Sequence, residues 1–322
     1  MSVTTVQAVV DAGGEAVWRL MERVEQRMAE LAVGHGPVLG RLAGDTIAAG
    51  GKRLRPLLVC LAAGAPTPET ENLVRSAVAV ELVHGATLVH DDVLDGSELR
   101  RGRPTVVAAA GREMATATGD LLFSRAFSEL AQASVAAVQI LARASSELAQ
   151  GELMQRADAW SFDVTVARYL ERCRLKTAVL FRAACELGAL EQGSVAPASL
   201  GLFGERIGLA FQLFDDVLDV SGPPERTGKP RGADLLDGTV TLPLILARAR
   251  DPALARLDGG SVRGAADAAA VCERITATGA LDLARERALQ LVGEAKAALP
   301  PLSERQRVAL ELVADGVVER YA

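Results

Sequence analysis

One acidic pentapeptide, DDVLD, occurs twice in this chain, at residues 91–95 and again at residues 215–219. Each copy follows a long apolar stretch and precedes a segment with glycine or proline, so the sequence predicts that each ends a helix. Residues four apart share a helix face, which points Asp91 and Asp95 the same way, and likewise Asp215 and Asp219. Carboxylates stacked at the negative end of a helix dipole are unfavourable unless a cation lies among them.

Two interpretations of these clusters compete. A single DDxxD is as typical of a solvated acidic helix end as of a metal site, but two identical copies embedded in apolar sequence favour the metal site. A small number of hard oxygen ligands, with room left for water and phosphate oxygens, suits Mg²⁺. The sequence therefore predicts two magnesium-binding clusters. The flanks of the two copies do not match, so a solenoid repeat is not indicated.

The rest of the chain predicts an all-α protein. Hydrophobic residues make up 49% of the 322 residues and aromatic residues only 3%, which favours helix–helix packing over sheets. Helical periodicity runs between glycine and proline breaks, and no stretch shows the strict alternation of a half-buried strand. We expect about ten to thirteen helices in one domain spanning residues 1–322.

Composition also narrows the partners and the compartment. A formal net charge of −6 argues against nucleic acid or an anionic membrane surface as the main partner. The N-terminus lacks the pattern of a signal peptide, and no segment is apolar for the ~18 residues of a membrane span, so stable membrane insertion is not expected. The cysteines form no CxxC pair and predict buried thiols in a reducing cytoplasm: Cys60, Cys173, Cys185 and Cys272.

Three basic segments are placed to complete a diphosphate site. Lys52 and Arg55 lie in GGKRLRP, where two glycines let the backbone approach an anion. Arg100 and Arg101 follow the first aspartate cluster, and Lys229 follows the second in a segment that is not a Walker A loop. Each segment alone is also compatible with a plain basic helix start or loop. Their positions beside the aspartates favour anion binding.

Two histidines accompany the first cluster. His84 lies two helical turns before Asp91 on nearly the same face, so we consider both a ligand-binding role and a neutral core histidine. His90 directly precedes Asp91 and is interpreted as a structural support.

Together these residues resemble the trans-isoprenyl diphosphate synthases, the polyprenyl synthetase family. The resemblance extends from the GGKRLRP segment to the tail and so covers nearly the whole chain. Its pieces are GKRLRP at 51–56, His84, HDDVLD at 90–95, RRG at 100–102, GD at 119–120, KT at 176–177, FQLFDDVLD at 211–219, GKP at 228–230 and TLP at 241–243.

The resemblance implies the isoprenoid synthase fold, with about a dozen helices around a central cavity, in a homodimer. It implies about three Mg²⁺ ions, held by Asp91 and Asp95 in the first cluster and by Asp215, with Asp219 nearby, in the second. The implied contacts of an allylic diphosphate are Arg100, Lys176, Thr177, Gln212 and Lys229. Those of the second substrate, isopentenyl diphosphate, are Lys52, Arg55, His84 and Arg101.

The implied reaction joins the two substrates head to tail. Metal and basic residues stabilise the diphosphate as the allylic C–O bond ionises, and the implied catalytic residues are Lys176, Thr177 and Gln212. The Thr177 hydroxyl and the Gln212 carbonyl would face the carbocation. The double bond of isopentenyl diphosphate attacks, and the departed diphosphate accepts the released proton. Thr239 stands where the family usually has a second lysine before TLP, which leaves one phosphate contact unassigned.

Two small residues below the first cluster bear on product length. Ala86 and Thr87 precede Asp91 by about one helical turn, where a bulky aromatic side chain would stop chain growth early. Their size favours a long all-trans product, C30 or more, with geranylgeranyl diphosphate (C20) as the alternative. The resemblance does not identify the allylic primer or the pathway served.

Two other functions fit the sequence less well than that of a catalytic synthase. A terpene cyclase of the same helical class needs neither GGKRLRP nor a second DDxxD, both of which occur here. A regulatory subunit of a heteromeric synthase typically lacks the aspartates, and this chain has both sets. A synthase that is itself the catalyst is the favoured interpretation.

Overall fold

The structure, a computed structural model, describes residues 3–31, 38–48, 51–64, 71–100, 102–193, 195–222 and 231–319. Most of these residues are helical, so the predicted all-α class is confirmed. The described residues form seventeen α-helices, thirteen of eight or more residues and four shorter, where the sequence predicted about ten to thirteen helices.

The helices of the first half of the chain are α1 (Val3–Gly13), α2 (Glu15–Leu31), α3 (Leu39–Ala48), α4 (Leu54–Ala62), α5 (Glu71–Asp95), α6 (Val106–Ala110), α7 (Arg112–Ala131) and α8 (Val135–Asp158). Those of the second half are α9 (Val166–Cys173), α10 (Val179–Gln192), α11 (Pro197–Ser221), α12 (Ala233–Leu236), α13 (Leu242–Arg248), α14 (Pro252–Ala255), α15 (Ala265–Ala277), α16 (Ala280–Ala297) and α17 (Glu304–Glu319). A π-helical segment, Arg174–Ala178, joins α9 to α10.

The chain divides into two compact units. The first comprises Met1–Ser145, Leu180–Gly204 and Ala298–Gly316, and the second comprises Ser146–Val179, Glu205–Ala297 and Val317–Ala322. The first unit contains the GGKRLRP segment and the first aspartate cluster, whereas the second contains the KT pair and the second cluster. The assignment of residues 1–322 to one domain stays a prediction.

Helix α5 is the centre of the first unit. Its residues from Leu73 to Val83 are nearly all buried, because small and branched apolar side chains cover every face of this stretch. Burial on all sides explains why its sequence shows no amphipathic stripe. Two polar side chains, Ser76 and Glu81, are also buried in this half of the helix. The packed half of α5 holds the aspartate cluster of its last turns at a fixed position.

A close contact joins α4 to α10 in the same unit. A Cβ atom at Gly188 of α10 would lie 2.2 Å from the carbonyl oxygen of Val59 and 2.8 Å from Cβ of Ala62, both on α4. Only glycine permits this approach. It sets the position of α4, which begins directly after the Gly-Gly-Lys-Arg part of the basic segment.

A short hairpin follows α5, where the sequence predicted only a loop. Strand β1 (Leu99–Arg100) pairs antiparallel with strand β2 (Arg103–Pro104). Gly102 in the turn has φ +74°, a backbone conformation that side chains other than glycine rarely adopt. Strands of two residues are too short to show alternation, which explains why the pattern did not predict them.

The π-helical segment interrupts the helical run of the second unit at Lys176 and Thr177. A Cβ at Gly151 of α8 would lie 2.5 Å from the backbone nitrogen of Lys176, so glycine lets α8 approach the segment closely. Single π turns inside helices occur often at functional sites. The π-helical segment therefore contains the same two residues that form the KT motif.

Among the described residues, no helix has both the length and the apolar character needed to cross a membrane. All four cysteines are buried and unbridged.

Candidate active site

The first aspartate cluster occupies the last turns of α5, as predicted. Its middle carboxylate, Asp92, is buried, and its Oδ1 accepts hydrogen bonds from Arg100 Nη2 at 2.7 Å and Nε at 2.8 Å. Asp91 is half-buried and Asp95 is exposed. A charge-assisted pair of this kind neutralises a carboxylate that burial would otherwise penalise. The middle aspartate is thus held by the hairpin, and the outer two lie toward the accessible side of the helix.

A cavity of about 360 Å³ lies beside α5 in the first unit. Two of the residues predicted to bind substrate, His84 and Arg100, line it together with Asp92. The remaining lining combines charged groups with apolar side chains such as Leu88 and Val89. This mixture of an apolar wall and charged groups is typical of a small-molecule site.

The basic segment is held in a strained conformation. Arg53 has φ +46° and ψ +35°, a left-handed conformation that is unusual outside glycine. Its guanidinium donates to Glu25 at 2.7 Å, to Glu81 at 3.0 Å and to the carbonyl of Ile47 at 2.9 Å. Burial alone would lower the pKa of Arg53, but the carboxylates of Glu25 and Glu81 outweigh it and raise the pKa. These bonds fix the backbone between Lys52 and Leu54.

The two predicted anion-binding residues flank Arg53. Lys52 is exposed, and Arg55 lies in the first turn of α4 with its guanidinium carbon 4.7 Å from the centre of the Phe181 ring. A cation stacked on an aromatic face is attracted by the negative face of the ring. The contact orients Arg55, although neither Lys52 nor Arg55 lines the cavity described above.

The second aspartate cluster lies near the end of α11, again as predicted. Its middle carboxylate, Asp216, is buried, and its partners are neutral. Tyr169 donates its hydroxyl to Oδ2 at 2.6 Å, and Gln212 donates Nε2 to Oδ1 at 2.8 Å. Burial, with the charge of Asp234, raises the pKa of Asp216 to about 8. Burial and Asp216 likewise raise the pKa of Tyr169 well above its ordinary value, so the phenol keeps its proton.

The outer aspartates of this cluster are half-buried. Asp219 also caps the segment that follows, since its Oδ2 accepts from the backbone nitrogen of Asp234 at 3.3 Å. Thr239 lies in this same segment and donates its backbone nitrogen to the carbonyl of Asp234 at 2.8 Å.

The KT pair has partners within the second unit. Lys176 forms an ion pair with Glu152 of α8 at 2.5 Å. Burial would raise the pKa of Glu152, but the positive charges of Lys176 and Arg156 lower it. Thr177 donates its hydroxyl to Oε1 of Gln212 at 2.6 Å. The sequence placed Thr177 and Gln212 together at the reaction centre but did not foresee that they bond to each other.

The donor sets of the two clusters fit a hydrated magnesium ion rather than a closed protein cage. Among the described residues, no three histidine, cysteine, aspartate or glutamate side chains converge on one point as a metal cage requires. Each middle carboxylate is held by protein donors, which leaves two outer carboxylates per copy on one helix face. Two oxygens per ion, with the other positions filled by water and phosphate, is a typical magnesium arrangement.

Four predicted residues add little to this geometry. Arg101 and Lys229 lie outside the described residues. Ala86 is fully buried, and Thr87 is half-buried and donates its hydroxyl to the carbonyl of His84 at 2.8 Å. Neither Ala86 nor Thr87 lines the cavity in the first unit.

Four residues of the site were not singled out from the sequence: Arg53, Glu152, Tyr169 and Asp216. The left-handed backbone of Arg53 has no sequence signal beyond the preceding glycines. Glu152 follows Gly151, and a glycine inside an otherwise regular helical pattern marks a close approach. The roles of Tyr169 and Asp216 depend on side-chain contacts between α9 and α11, which periodicity does not predict.

Comparison with known proteins decides the family. The family model for polyprenyl synthetase matches residues 37–274, well over half of the chain. The chain belongs to the polyprenyl synthetase family. It is therefore an enzyme that transfers prenyl groups, a trans-prenyl diphosphate synthase, and the resemblance found in its motifs is confirmed.

Relatives in this family differ in the product that their names give. The heptaprenyl diphosphate synthase component 2 of Geobacillus stearothermophilus is 43% identical over 252 residues, 77% of this chain and 78% of the relative. The geranylgeranyl diphosphate synthase of Methanosarcina mazei is 36% identical, over 84% of this chain and 86% of the relative.

A solved structure covers the chain more fully. The polyprenyl synthase of Caulobacter crescentus CB15, complexed with calcium and isoprenyl diphosphate, is 39% identical with a TM-score of 0.87. The match spans 100% of this chain and 98% of that one.

Proposed function

We propose that this enzyme adds isopentenyl diphosphate head to tail onto an allylic diphosphate primer, releases diphosphate, and makes an all-trans polyprenyl diphosphate of C30 or more. The observation that carries the proposal is the arrangement of the two DDVLD copies. In each copy protein donors hold the middle carboxylate, and the outer pair lies one turn apart at the end of a long helix. The C. crescentus relative supports it, because that protein was obtained with a divalent cation and an isoprenyl diphosphate.

Magnesium is the cofactor of this proposal, with about three ions per site. Asp91 and Asp95 would hold it in the first cluster, and Asp215 with Asp219 in the second. When bound, the metal supplies positive charge that stabilises the leaving diphosphate.

Basic residues divide between the two substrates. Those assigned to the allylic diphosphate are Arg100, Lys176 and Lys229, with Thr177 and Gln212 beside the carbon that becomes cationic. Those assigned to isopentenyl diphosphate are Lys52, Arg55, His84 and Arg101. Two of the first set already have carboxylate partners, Asp92 for Arg100 and Glu152 for Lys176. These partners orient the two cations in the absence of substrate.

The proposal assigns no serine–histidine or cysteine–histidine pair as nucleophile and base. The reaction does not need one, because the departing diphosphate can take the proton that the condensation releases. The tasks left to the side chains are to bind the two diphosphates, to orient them and to stabilise positive charge.

Product length is the finer part of the proposal. Ala86 is buried and small, and Thr87 is half-buried, so neither presents the aromatic ring that would stop growth below the first cluster. The G. stearothermophilus heptaprenyl relative, at 43% identity, supports a long product. Geranylgeranyl diphosphate remains the alternative product.

A second arrangement is favoured by one observation. The G. stearothermophilus relative is named as component 2 of its synthase, which implies a partner chain for that protein. This chain would then act with a different subunit instead of as the homodimer expected from the sequence. Light scattering of the purified protein, and its activity without additions, separate these cases. Cytoplasmic location also belongs to the proposal and is supported by four unbridged thiols.

The test is direct. Purified protein is incubated with Mg²⁺, farnesyl diphosphate and labelled isopentenyl diphosphate, and the dephosphorylated products are separated by chromatography. We expect products of C30 or longer, loss of turnover with EDTA, and recovery on adding Mg²⁺. Asp91→Ala and Asp215→Ala should each lower kcat by at least ~10²-fold, as loss of one electrostatic stabiliser does.

A matched control is Asp282→Ala, which removes an exposed carboxylate on α16 whose ion-pair partner among the described residues is Arg285. It should leave kcat unchanged. Near-normal turnover by Asp91→Ala or Asp215→Ala would refute their assignment as ligands. No incorporation of isopentenyl diphosphate by the wild-type protein would refute the function itself.

A further inference from the structure

The proposed reaction does not use Tyr169, although its environment is highly specific. The side chain is fully buried, and its hydroxyl donates to Oδ2 of Asp216 at 2.6 Å. A buried phenol with a short bond to a buried carboxylate is more than a space-filling ring, since phenylalanine would fill the same volume without a polar group to satisfy.

Tyr169 begins a chain of hydrogen bonds through four side chains. Asp216 accepts the Tyr169 hydroxyl on one oxygen and Nε2 of Gln212, at 2.8 Å, on the other. Oε1 of Gln212 in turn accepts the hydroxyl of Thr177 at 2.6 Å. The first two members are buried and the last two are half-buried, so the chain runs from the interior of the second unit to its accessible side.

The structure gives each of these bonds a direction. Gln212 presents its NH₂ group to Oδ1 of Asp216 at 2.8 Å and its amide oxygen to the hydroxyl of Thr177 at 2.6 Å. A hydroxyl has only one proton, so Thr177 gives that proton to Gln212 and keeps its oxygen lone pairs on the side away from Gln212.

That polarity suits the proposed reaction. As the allylic C–O bond breaks, positive charge develops on carbon, and a fixed oxygen lone pair stabilises it without having to reorient. A freely rotating hydroxyl could equally well turn its proton toward the cation, which would oppose ionisation.

We propose that Tyr169 is a positioning residue that acts through Asp216 and Gln212 to hold the Thr177 hydroxyl with its lone pairs toward the allylic substrate. This inference rests on the proposed prenyl transfer and assigns a role to a side chain outside the substrate-binding set. It implies that removing one buried hydroxyl slows ionisation of the primer without weakening primer binding.

The experiment measures Tyr169→Phe in three backgrounds: wild type, Thr177→Ser and Thr177→Val. Serine keeps the hydroxyl that the chain orients, and valine removes it at nearly the same shape. With Mg²⁺, an allylic primer and labelled isopentenyl diphosphate, Tyr169→Phe should lower kcat by about 10- to 100-fold in the first two backgrounds, the range typical of losing an orienting partner. In the Thr177→Val background it should have no further effect. KM for the primer should stay within about twofold throughout.

Ser221→Ala is the matched control, because it removes a hydroxyl from the same helix as Gln212 that donates, within the described part of the chain, to the carbonyl of Val217. It should leave kcat unchanged, and thermal melting of each variant reports whether it is folded. If Tyr169→Phe impairs folding, Asp216→Leu interrupts the chain at another point, because it removes the acceptor of both Tyr169 and Gln212 at a similar side-chain size. Asp216→Leu should then slow the Thr177→Ser enzyme but not the Thr177→Val enzyme.

The outcomes separate clearly. Loss of kcat that depends on the Thr177 hydroxyl supports the proposal, because residues that act as one unit are non-additive. An equal loss in all three backgrounds, an effect on KM alone, or an unchanged kcat in Tyr169→Phe overturns it. In all of these cases the wild-type enzyme is active. An inactive wild-type enzyme would instead refute the proposed function.

Discussion

The close approach of α4 to α10 at Gly188 gives a sharp test of the fold, through the variant Gly188→Ala. The new methyl group would lie 2.2 Å from the carbonyl oxygen of Val59, and an ordinary contact begins at 3.4 Å. Because the obstructing atom belongs to the backbone, no side chain can rotate to make room. The two helices must separate by about 1.2 Å, the difference between these distances.

The expected effect follows from two opposing terms. Overpacking of a core costs about 1–3 kcal/mol, whereas replacing a helical glycine by alanine stabilises the helix by about 0.5–1 kcal/mol. The two ranges leave a net destabilisation of about 0–2.5 kcal/mol, and because the clash is with backbone we expect the upper half of it, enough to lower the thermal midpoint by several degrees. Function should also suffer, because α4 carries Arg55 and α10 carries the Phe181 ring that orients it. A displacement of this size should raise KM for isopentenyl diphosphate.

Thermal melting and steady-state kinetics test both parts. Gly293→Ala is the control: it is an exposed helical position where an added Cβ meets no atom within 4 Å. That variant should melt slightly above wild type, because it gains helix propensity without a clash. The reasoning is refuted if Gly188→Ala melts at or above the wild-type temperature. A destabilised variant with an unchanged KM would show that α4 does not position Arg55.

Four further predictions concern product length, substrate binding, thiols and pH. Ala86→Phe should remain active but shift products toward C15–C20; a folded, active variant with unchanged products excludes this position from the tunnel. Arg55→Ala should raise KM for isopentenyl diphosphate far more than KM for the primer, and equal effects would contradict the division of basic residues. Burial raises the pKa of all four cysteine thiols. Ellman's reagent at about pH 8 should therefore modify four thiols per chain in denaturant but react very slowly with the native enzyme. A rapid reaction of the native enzyme would argue against burial of the thiols. Lys176 and Arg156 lower the pKa of Glu152 against the effect of burial, so this carboxylate stabilises the fold above its unfolded pKa of about 4.3 and stops doing so as pH falls through the folded pKa. Glu152→Gln should therefore be less stable than wild type at pH 7 and equally stable near pH 3. A difference in stability that persists near pH 3 counts against the ion pair.

The sequence predicted the positions of the aspartate clusters because helix periodicity alone places residues four apart on one face. It also predicted the all-α class, since the composition and breaks of the chain leave little room for strands. Inside the clusters it could not distinguish Asp92 from Asp216, because they occupy the same place in identical pentapeptides. Their partners are Arg100, which lies in the hairpin after α5, and Tyr169, which lies on a different helix from Asp216. Helical spacing predicts neither contact.

The sequence also did not predict two irregular backbone conformations. The π-helical segment at Lys176 depends on how closely α8 can approach. The left-handed conformation of Arg53 depends on three hydrogen bonds that its guanidinium donates to helices α2, α3 and α5. Both are tertiary effects that override local propensity. The family resemblance located Lys176 and Arg53 in sequence motifs, but only the structure shows that their backbone conformations are unusual.

The different partners of the two middle aspartates make the repeat asymmetric under mutation. In the first copy, Asp92→Asn would leave the Arg100 guanidinium beside a neutral amide, so one copy would lose a counter-charge. In the second copy, Asp216→Asn would set an amide between a phenol and another amide, and the change would be one of donor against acceptor rather than of charge. The same substitution at the same position of the motif therefore has two different chemical effects. Comparative mutagenesis of the repeat therefore measures ion pairing on one side and hydrogen-bond polarity on the other.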